Sequence, residues 1–149
     1  TQLAMRDNSN LLEFKNTMNS IWSFINERQC PVLCHGYITP DIAKRYPKGI
    51  FIFAHAGGVR QAACDYIDCT NVFFDTASSS LMRGNIEYYS KIIGDDRILY
   101  GSDMPYSNPA FRIGQVIANR LPDNSMKKIL GLNMARLLNI DIPEKYQKI

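Results

Sequence analysis

Three short apolar runs, each leading into a turn, most constrain what this chain can fold into. Each turn carries a side chain that can bind a metal ion or a proton. The runs lie in 31–36, 50–58 and 98–105, and the side chains are those of His35, His55 and Asp103. These two histidines are the only ones in the chain. Apolar runs of this length, closed by glycine or proline turns, are typical of buried strands.

Helical patterns separate these predicted strands. The first begins at a capping-box sequence, and its apolar residues recur at helical spacing at Leu11, Phe14, Met18, Ile21, Trp22 and Ile25. We predict strands at 31–35, 50–55, 72–76 and 98–103. We predict helices at 10–28, 40–46, 59–67, 85–93, 110–121 and 125–139, the last capped by Ser125 or Asp123. Strands that alternate with helices in this way indicate a parallel sheet with right-handed crossovers.

An open doubly wound sheet and a barrel both satisfy this order. Polar residues at the C-terminal ends of the strands favour a barrel, because barrel enzymes place their catalytic groups there. Strand alternation puts Phe51 and Phe53 on the face of His55, Leu33 on that of His35, and Leu99 on that of Asp103. We expect these residues to point to the barrel interior.

A complete barrel has eight strands and about 250 residues, whereas this chain has 149 residues and four predicted strands. Four strands alone would leave the inner face and two sheet edges open to water. We therefore predict an α/β fold of parallel (β/α) units that forms the C-terminal half of a TIM-type (β/α)8 barrel. The other half would be missing, cleaved or supplied by another chain. The single domain would span 1–149, with a loosely held tail at 140–149.

Composition narrows the class of protein. The hydrophobic content of 46% is enough for a real core, the apolar runs are too short to cross a membrane, and no signal-peptide pattern is present, so we expect a cytoplasmic protein. The net charge of +3 is small and its basic residues are scattered, which gives nucleic-acid binding no support. Four cysteines without disulfide-type spacing predict reduced, mostly buried thiols.

Imidazole and carboxylate groups are good ligands for a divalent metal such as zinc. Any one of the three residues alone is more commonly structural, but matching positions at three strand ends favour a shared site. Tyr106 and Arg60 are candidates for binding substrate, and Arg97 could also meet a substrate carboxylate. Asp75 closes the third strand at the same rim, where it would either contact substrate or cap the turn that follows.

These residues resemble the amidohydrolase-related branch of the metal-dependent amidohydrolase superfamily, which includes decarboxylases of the aminocarboxymuconate-semialdehyde type. The resemblance covers strands 5 to 8 of that barrel. It rests on Pro-Val-Leu-Cys-His at 31–35, His-Ala-Gly-Gly at 55–58, Gly-Ser-Asp-Met-Pro at 101–105 and Gly-Leu-Asn-Met-Ala-Arg-Leu at 131–137. The family's first strand supplies a His-x-His pair, and this chain contains no such pair.

The resemblance implies that His35 and Asp103 bind a divalent metal, with zinc as the first choice, and that Asp103 is also catalytic. It implies that His55 either assists catalysis, the role we assign to it, or binds a second metal. It implies a hydrolase acting on a small amide, lactone or carboxylic acid through a metal-activated water. A non-oxidative decarboxylase that uses the same site is the alternative, and a non-catalytic half-barrel is another. The expected partners are a small-molecule substrate and either a second copy of the chain or the missing N-terminal half.

Overall fold

The fold is a four-stranded parallel sheet with helices between the strands. A computed structural model describes residues 8–36, 38–55, 60–77 and 84–144, with the backbone alone for 8–12, 60 and 61. The strands are β1 Pro31–Cys34, β2 Ile50–Phe53, β3 Val72–Asp75 and β4 Ile98–Leu99. The helices are α1 Asn8–Arg28, α2 Pro40–Arg45, α3 Arg60–Asp65, α4 Asn85–Ile93, α5 Pro109–Ala118, α6 Asp123–Lys127 and α7 Asn133–Leu137. The strands lie in the order β1-β2-β3-β4.

All four predicted strands and the helices between them are present, which confirms the α/β class and the parallel sheet. Helix α2 begins as its sequence predicts, with Thr39 Oγ1 accepting a hydrogen bond from the N–H of Ile42. The predicted cap of the last helix is wrong. Pro122 occupies the N-cap position of α6, without a side-chain hydrogen bond. The Ser125 hydroxyl caps no helix and donates to Asp95. A π-helical turn, Lys128–Leu132, then joins α6 to α7.

The larger core cluster lies between the sheet and helices α1 to α4. Phe51 and Phe74 are its largest strand residues, and the Trp22 ring meets the Phe51 ring edge-on at 5.6 Å. The prediction that Phe51 and Phe53 face a barrel interior is therefore wrong. Strand β2 ends at Phe53 and His55 has a φ of 55°, so strand alternation does not continue to the histidine.

A smaller cluster covers the opposite face of the sheet. It consists of Ile52, Phe73 and Leu99, against which Met134 and Leu137 pack. Leu33 pairs with Ile52 in the sheet register, so Leu33 and Leu99 share this inner face, as predicted. The Leu33 side chain is 59% exposed. Asp75 pairs with Leu99 and therefore lies on the same face.

The outer edge of β4 is not open, contrary to the prediction of two unpaired edges. Leu99 O accepts from the N–H of Thr76, the residue after β3, so the backbone polar groups on either side of Leu99 point away from β3. One of them, the Ile98 carbonyl, accepts from Asn133 Nδ2 at 2.8 Å. The other, the N–H of Tyr100, donates to the Ile129 carbonyl at 2.8 Å. The C-terminal helical segment thus occupies this edge.

Helix α1 buries a narrower stripe than its periodicity predicts. Trp22 and Ile25 are each 4% exposed, whereas Phe14 and Ile21 remain 47% and 42% exposed. The stripe is confirmed in its C-terminal part only, because the sheet meets that part of the helix. No helix within the described ranges is long and apolar enough to cross a membrane. The predicted loose tail falls partly on residues 145–149, which lie outside the described residues.

The four cysteines carry free thiols, which agrees with the prediction of reduced residues. Burial is confirmed for Cys69 and in part for Cys34, but Cys30 and Cys64 are exposed. Cys30 directly precedes β1, and the Sγ of Cys64 in α3 lies 3.4 Å from the Tyr88 hydroxyl, so neither thiol is in the core. Burial raises the pKa of the Cys34 thiol, which keeps it protonated.

A polar cluster fastens the C-terminal helices to the turn before β4. Asp95 accepts hydrogen bonds from Ser125 Oγ at 2.6 Å and from Lys128 Nζ at 3.2 Å. Burial acts to raise the pKa of Asp95, but these hydrogen bonds outweigh burial and hold the pKa below its usual value. A depressed native pKa stabilises the fold above the unfolded-state pKa of about 3.9, and this stabilisation is lost as the pH falls through the native value.

We therefore expect Ser125→Ala to make the protein less resistant to acid. Loss of the hydroxyl moves the native pKa of Asp95 toward its unfolded value, so the acid-unfolding midpoint moves to higher pH. Circular dichroism recorded during an acid titration measures this midpoint. Ser20→Ala is the control, because the Ser20 hydroxyl bonds only to the Asn16 carbonyl of its own helix among the described contacts. Equal midpoints for the two variants would contradict the prediction.

Candidate active site

The three side chains predicted to form a site lie together at the carboxyl end of the sheet. His35 follows β1, His55 follows β2 and Asp103 follows β4. The ring centroids of His35 and His55 are 4.6 Å apart. His55 Nε2 lies 3.8 Å from Asp103 Oδ1, and both side chains are about one third exposed, at 31% and 32%. The group is thus compact and open to solvent on one side.

The backbone is unusual at two of these residues. The described part of the chain has four non-glycine residues with positive φ, of which Gln29 and Asn139 lie directly beyond helix ends, where this conformation is common. The other two are His55, with a φ of 55°, and Asp103, with a φ of 57°. Left-handed backbone in non-glycine residues costs free energy and concentrates at functional sites. The strain here falls on the two residues predicted to be catalytic.

The orientation of the His55 ring follows from its hydrogen bond. Nδ1 contacts the Ala77 carbonyl, and because a carbonyl oxygen can only accept, Nδ1 must carry a hydrogen. In the neutral ring Nε2 then holds a lone pair, and this lone pair faces the Asp103 carboxylate across 3.8 Å. Two acceptors that face each other are stabilised by a cation or a proton between them. The arrangement can therefore hold a positive charge at this point.

His35 and Asp103 have the donor chemistry of metal ligands, and the two acceptors that face each other at 3.8 Å favour a positive charge beside them. Within the ranges that the structure describes, however, no group of three histidine, cysteine, aspartate or glutamate side chains converges as a complete metal site. The two predicted ligands therefore form a partial set, and a bound ion would need further ligands from elsewhere. Their role in metal binding stays a prediction.

The exits of β3 and β4 interlock below the site. The N–H of Gly101 donates to Thr76 Oγ1 at 3.2 Å. A Cβ atom at Gly101 would lie 2.8 Å from the Ala77 Cβ and 3.2 Å from the Asp75 carboxyl carbon. The glycine of the Gly-Ser-Asp motif therefore lets these two strand ends approach each other. This contact fixes the position of the backbone that leads to Asp103.

Asp75 caps the turn after β3, which was one of its two predicted roles. Its Oδ1 accepts from the N–H of Ala77 at 3.0 Å and also from the N–H of His55 at 2.9 Å. The sequence predicted neither the second bond nor the contact between the Ala77 carbonyl and Nδ1 of His55. A carboxylate at a neighbouring strand end was the available signal, but sequence spacing does not predict which backbone group it reaches.

The structure places the predicted substrate-binding residues less firmly. Tyr106 is 91% exposed in the loop after Asp103. Arg60 begins α3, and its side chain lies outside the described atoms. Arg97 has a structural role, because its guanidinium donates to the carbonyls of Tyr66, Ile67 and Cys69 as well as to that of Ile93. It therefore ties the turn after α3 to the last residue of α4.

The sequence model of one protein family, described as amidohydrolase (Amidohydro_2), matches residues 3–140. A comparison with curated protein sequences gives no match. Several solved structures, in contrast, are similar to this fold.

A 2,6-dihydroxybenzoate decarboxylase from Rhizobium has a TM-score of 0.64 and 17% identity, over 79% of this chain and 54% of its own. A dihydroxybenzoic acid decarboxylase from Polaromonas sp. JS666, with bound manganese and the inhibitor 2-nitroresorcinol, has a TM-score of 0.66 and 17% identity, over 83% and 54%. An uncharacterised TIM-barrel protein from Bordetella bronchiseptica has a TM-score of 0.68 and 16% identity, over 82% and 50%. The chain thus spans about half the length of these structures and shares their fold.

Proposed function

Because the chain belongs to the amidohydrolase family, we propose that it forms part of a metal-dependent hydrolase acting on a small organic amide, lactone or carboxylic acid. The observation that carries the proposal is the lone pair of His55 Nε2 facing Asp103 at 3.8 Å, beside the ring of His35. His35 and Asp103 would hold the ion. A divalent metal bound there would act as a Lewis acid that polarises a substrate oxygen.

The residues of this chain account for the proton movements. Nδ1 of His55 keeps its hydrogen on the Ala77 carbonyl, so Nε2 is the nitrogen that accepts a proton from the reacting water. Asp103, at 3.8 Å, stabilises the imidazolium that forms. The same nitrogen then returns the proton to the leaving group. Tyr106 and Arg60, which lie close in sequence to Asp103 and His55, are the proposed substrate contacts.

Non-oxidative decarboxylation is the second candidate, and the similar fold of two dihydroxybenzoate decarboxylases favours it. In this reaction the bond between the ring carbon and the carboxylate breaks, CO₂ leaves, and the carbon takes a proton. Protonated His55 Nε2 would be its donor. The two candidates use the same side chains and differ in the substrate and in the bond that breaks.

We also propose that this chain corresponds to strands 5 to 8 of a (β/α)8 barrel. The order of its strand-end residues matches that half, and the chain spans about half the length of similar structures. The remaining metal ligands would then come from an N-terminal half, in the same polypeptide or in a second copy. The inner face at Leu33, which is 59% exposed, is the surface such a half would cover.

Metal analysis combined with an activity panel tests the proposal. We expect about one zinc or manganese ion per active site, loss of activity on chelation, and recovery when the metal is returned. The panel contains amides, lactones and hydroxybenzoates, and CO₂ release separates decarboxylation from hydrolysis. Full activity after complete removal of metal would refute both candidates. A chain that binds no metal, self-associates and stays inactive with its N-terminal half restored would instead be a non-catalytic half-barrel.

A further inference from the structure

One oxygen of Asp75 joins two strand exits. Oδ1 accepts from the N–H of His55, which follows β2, and from the N–H of Ala77, which follows β3. The two bonds are 2.9 Å and 3.0 Å long, and Asp75 is only 9% exposed. A buried carboxylate that accepts two backbone N–H groups fixes both peptide units relative to each other.

The two residues whose N–H groups Asp75 binds, His55 and Ala77, also determine how the His55 ring is oriented. The N–H of His55 donates to Asp75, and Nδ1 of the His55 ring contacts the carbonyl of Ala77. The N–H of Ala77 donates to the same oxygen of Asp75. His55 is also in the left-handed conformation, with a φ of 55°, which persists only with support from its surroundings. Asp75 supplies such support from a neighbouring strand.

We propose that Asp75 is a positioning residue that sets the tautomer of His55. By keeping the Ala77 carbonyl on Nδ1, Asp75 keeps the ring hydrogen on that nitrogen and leaves the lone pair of Nε2 facing Asp103. Hydrogen bonds from the second nitrogen of a histidine generally fix its tautomer and orientation in this way. The catalytic consequence rests on the proposed function, whereas the tautomer itself does not.

Nitrogen NMR of the imidazole rings tests the proposal, because the nitrogen chemical shifts report which ring nitrogen carries the hydrogen. The chain has two histidines, so His35→Gln assigns the signals. At a pH where both rings are neutral and metal has been removed, we expect His55 to be the Nδ1–H tautomer. In Asp75→Ala we expect a mixture in which the Nε2–H form predominates. Asp75→Asn should keep the native tautomer, because its amide oxygen can still accept both N–H groups.

Gly101→Ala gives a second route to the same result if Asp75→Ala fails to fold. The added Cβ would lie 3.2 Å from the Asp75 carboxyl carbon and 2.8 Å from the Ala77 Cβ, so it moves both groups without removing either. We expect the same shift toward Nε2–H. Thr76→Val is the matched control, because it alters the same strand exit but leaves both Asp75 bonds intact, and its His55 tautomer should be native.

A folded Asp75→Ala or Gly101→Ala protein whose His55 remains entirely Nδ1–H would overturn the proposal. So would a change of the same size in Thr76→Val. Since the NMR measurement needs neither metal nor substrate, a failure of this proposal can be distinguished from a failure of the proposed function. In the active enzyme, Asp75→Ala should lower kcat by about 10- to 100-fold with little change in KM, as is usual for loss of a partner that orients a catalytic histidine.

Discussion

Replacing Asp103 by asparagine is expected to lower kcat by about 10²- to 10⁴-fold, the range typical when general acid–base catalysis is disabled, because protonated His55 loses the charge that stabilises it. Asparagine keeps the size of the side chain but removes the negative charge that faces His55 Nε2 at 3.8 Å. Asparagine also tolerates left-handed backbone well, so the φ of 57° at this position need not change. The variant therefore isolates the loss of charge from a change of fold.

Steady-state kinetics on whichever substrate class proves active measures this effect, and metal content is recorded in parallel. We expect Asp103→Asn to bind the metal less tightly as well, because it loses one of two proposed ligands in this chain. Asp68→Asn is the control, since Asp68 is an exposed carboxylate in the turn before β3. An Asp103→Asn protein with kcat near that of the native enzyme would refute both roles of Asp103.

Replacing Asn133 by aspartate is expected to lower the free energy of unfolding by more than about 3 kcal/mol. Asn133 is 2% exposed, and its Nδ2 donates to the carbonyls of Asp95 at 2.7 Å and of Ile98 at 2.8 Å. Aspartate has nearly the same shape but no donor in its ionised form. The change would set a buried charge against two carbonyl oxygens and leave both carbonyls without this partner.

Denaturant unfolding followed by circular dichroism measures the loss. Asn124→Asp makes the same chemical change on the exposed side of α6, where we expect a change within about 0.5 kcal/mol. If both variants were equally stable, the bond between Asn133 and the edge of β4 would contribute nothing. Because Asn133 is part of the Gly-x-Asn-x-x-x-Leu pattern, this comparison also tests whether that pattern serves the fold.

Local sequence patterns predicted the elements well where one physical signal dominated. Helix α4 spans Asn85–Ile93, the predicted bounds, because its apolar positions follow helical spacing between two glycines. The Thr39-Pro40 start of α2 was predicted for the same kind of reason. The three strand-end residues also meet at one rim, since parallel strands bring their carboxyl ends together. Their roles as ligands and catalysts stay predictions.

What could not be predicted depends on contacts between distant residues. The inner and outer faces of β2 were assigned by counting back from His55, and the count failed because the strand ends at Phe53 and the backbone is left-handed at the histidine. The bond between Asp75 and the N–H of His55 joins residues that no periodicity connects. Likewise, nothing in the motif around Asn133 indicates that its amide reaches the edge of a strand.

The bonds at the margin of β4 determine how this sheet can grow. The Ile98 carbonyl and the Tyr100 N–H are engaged by Asn133 and Ile129, so an additional strand there must displace those bonds or pair only beyond Tyr100. At the other margin, the peptide groups of Leu33 point away from β2 along an accessible strand. A further strand beside β1 would therefore break no described hydrogen bond, whereas one paired along Ile98 and Tyr100 would break two.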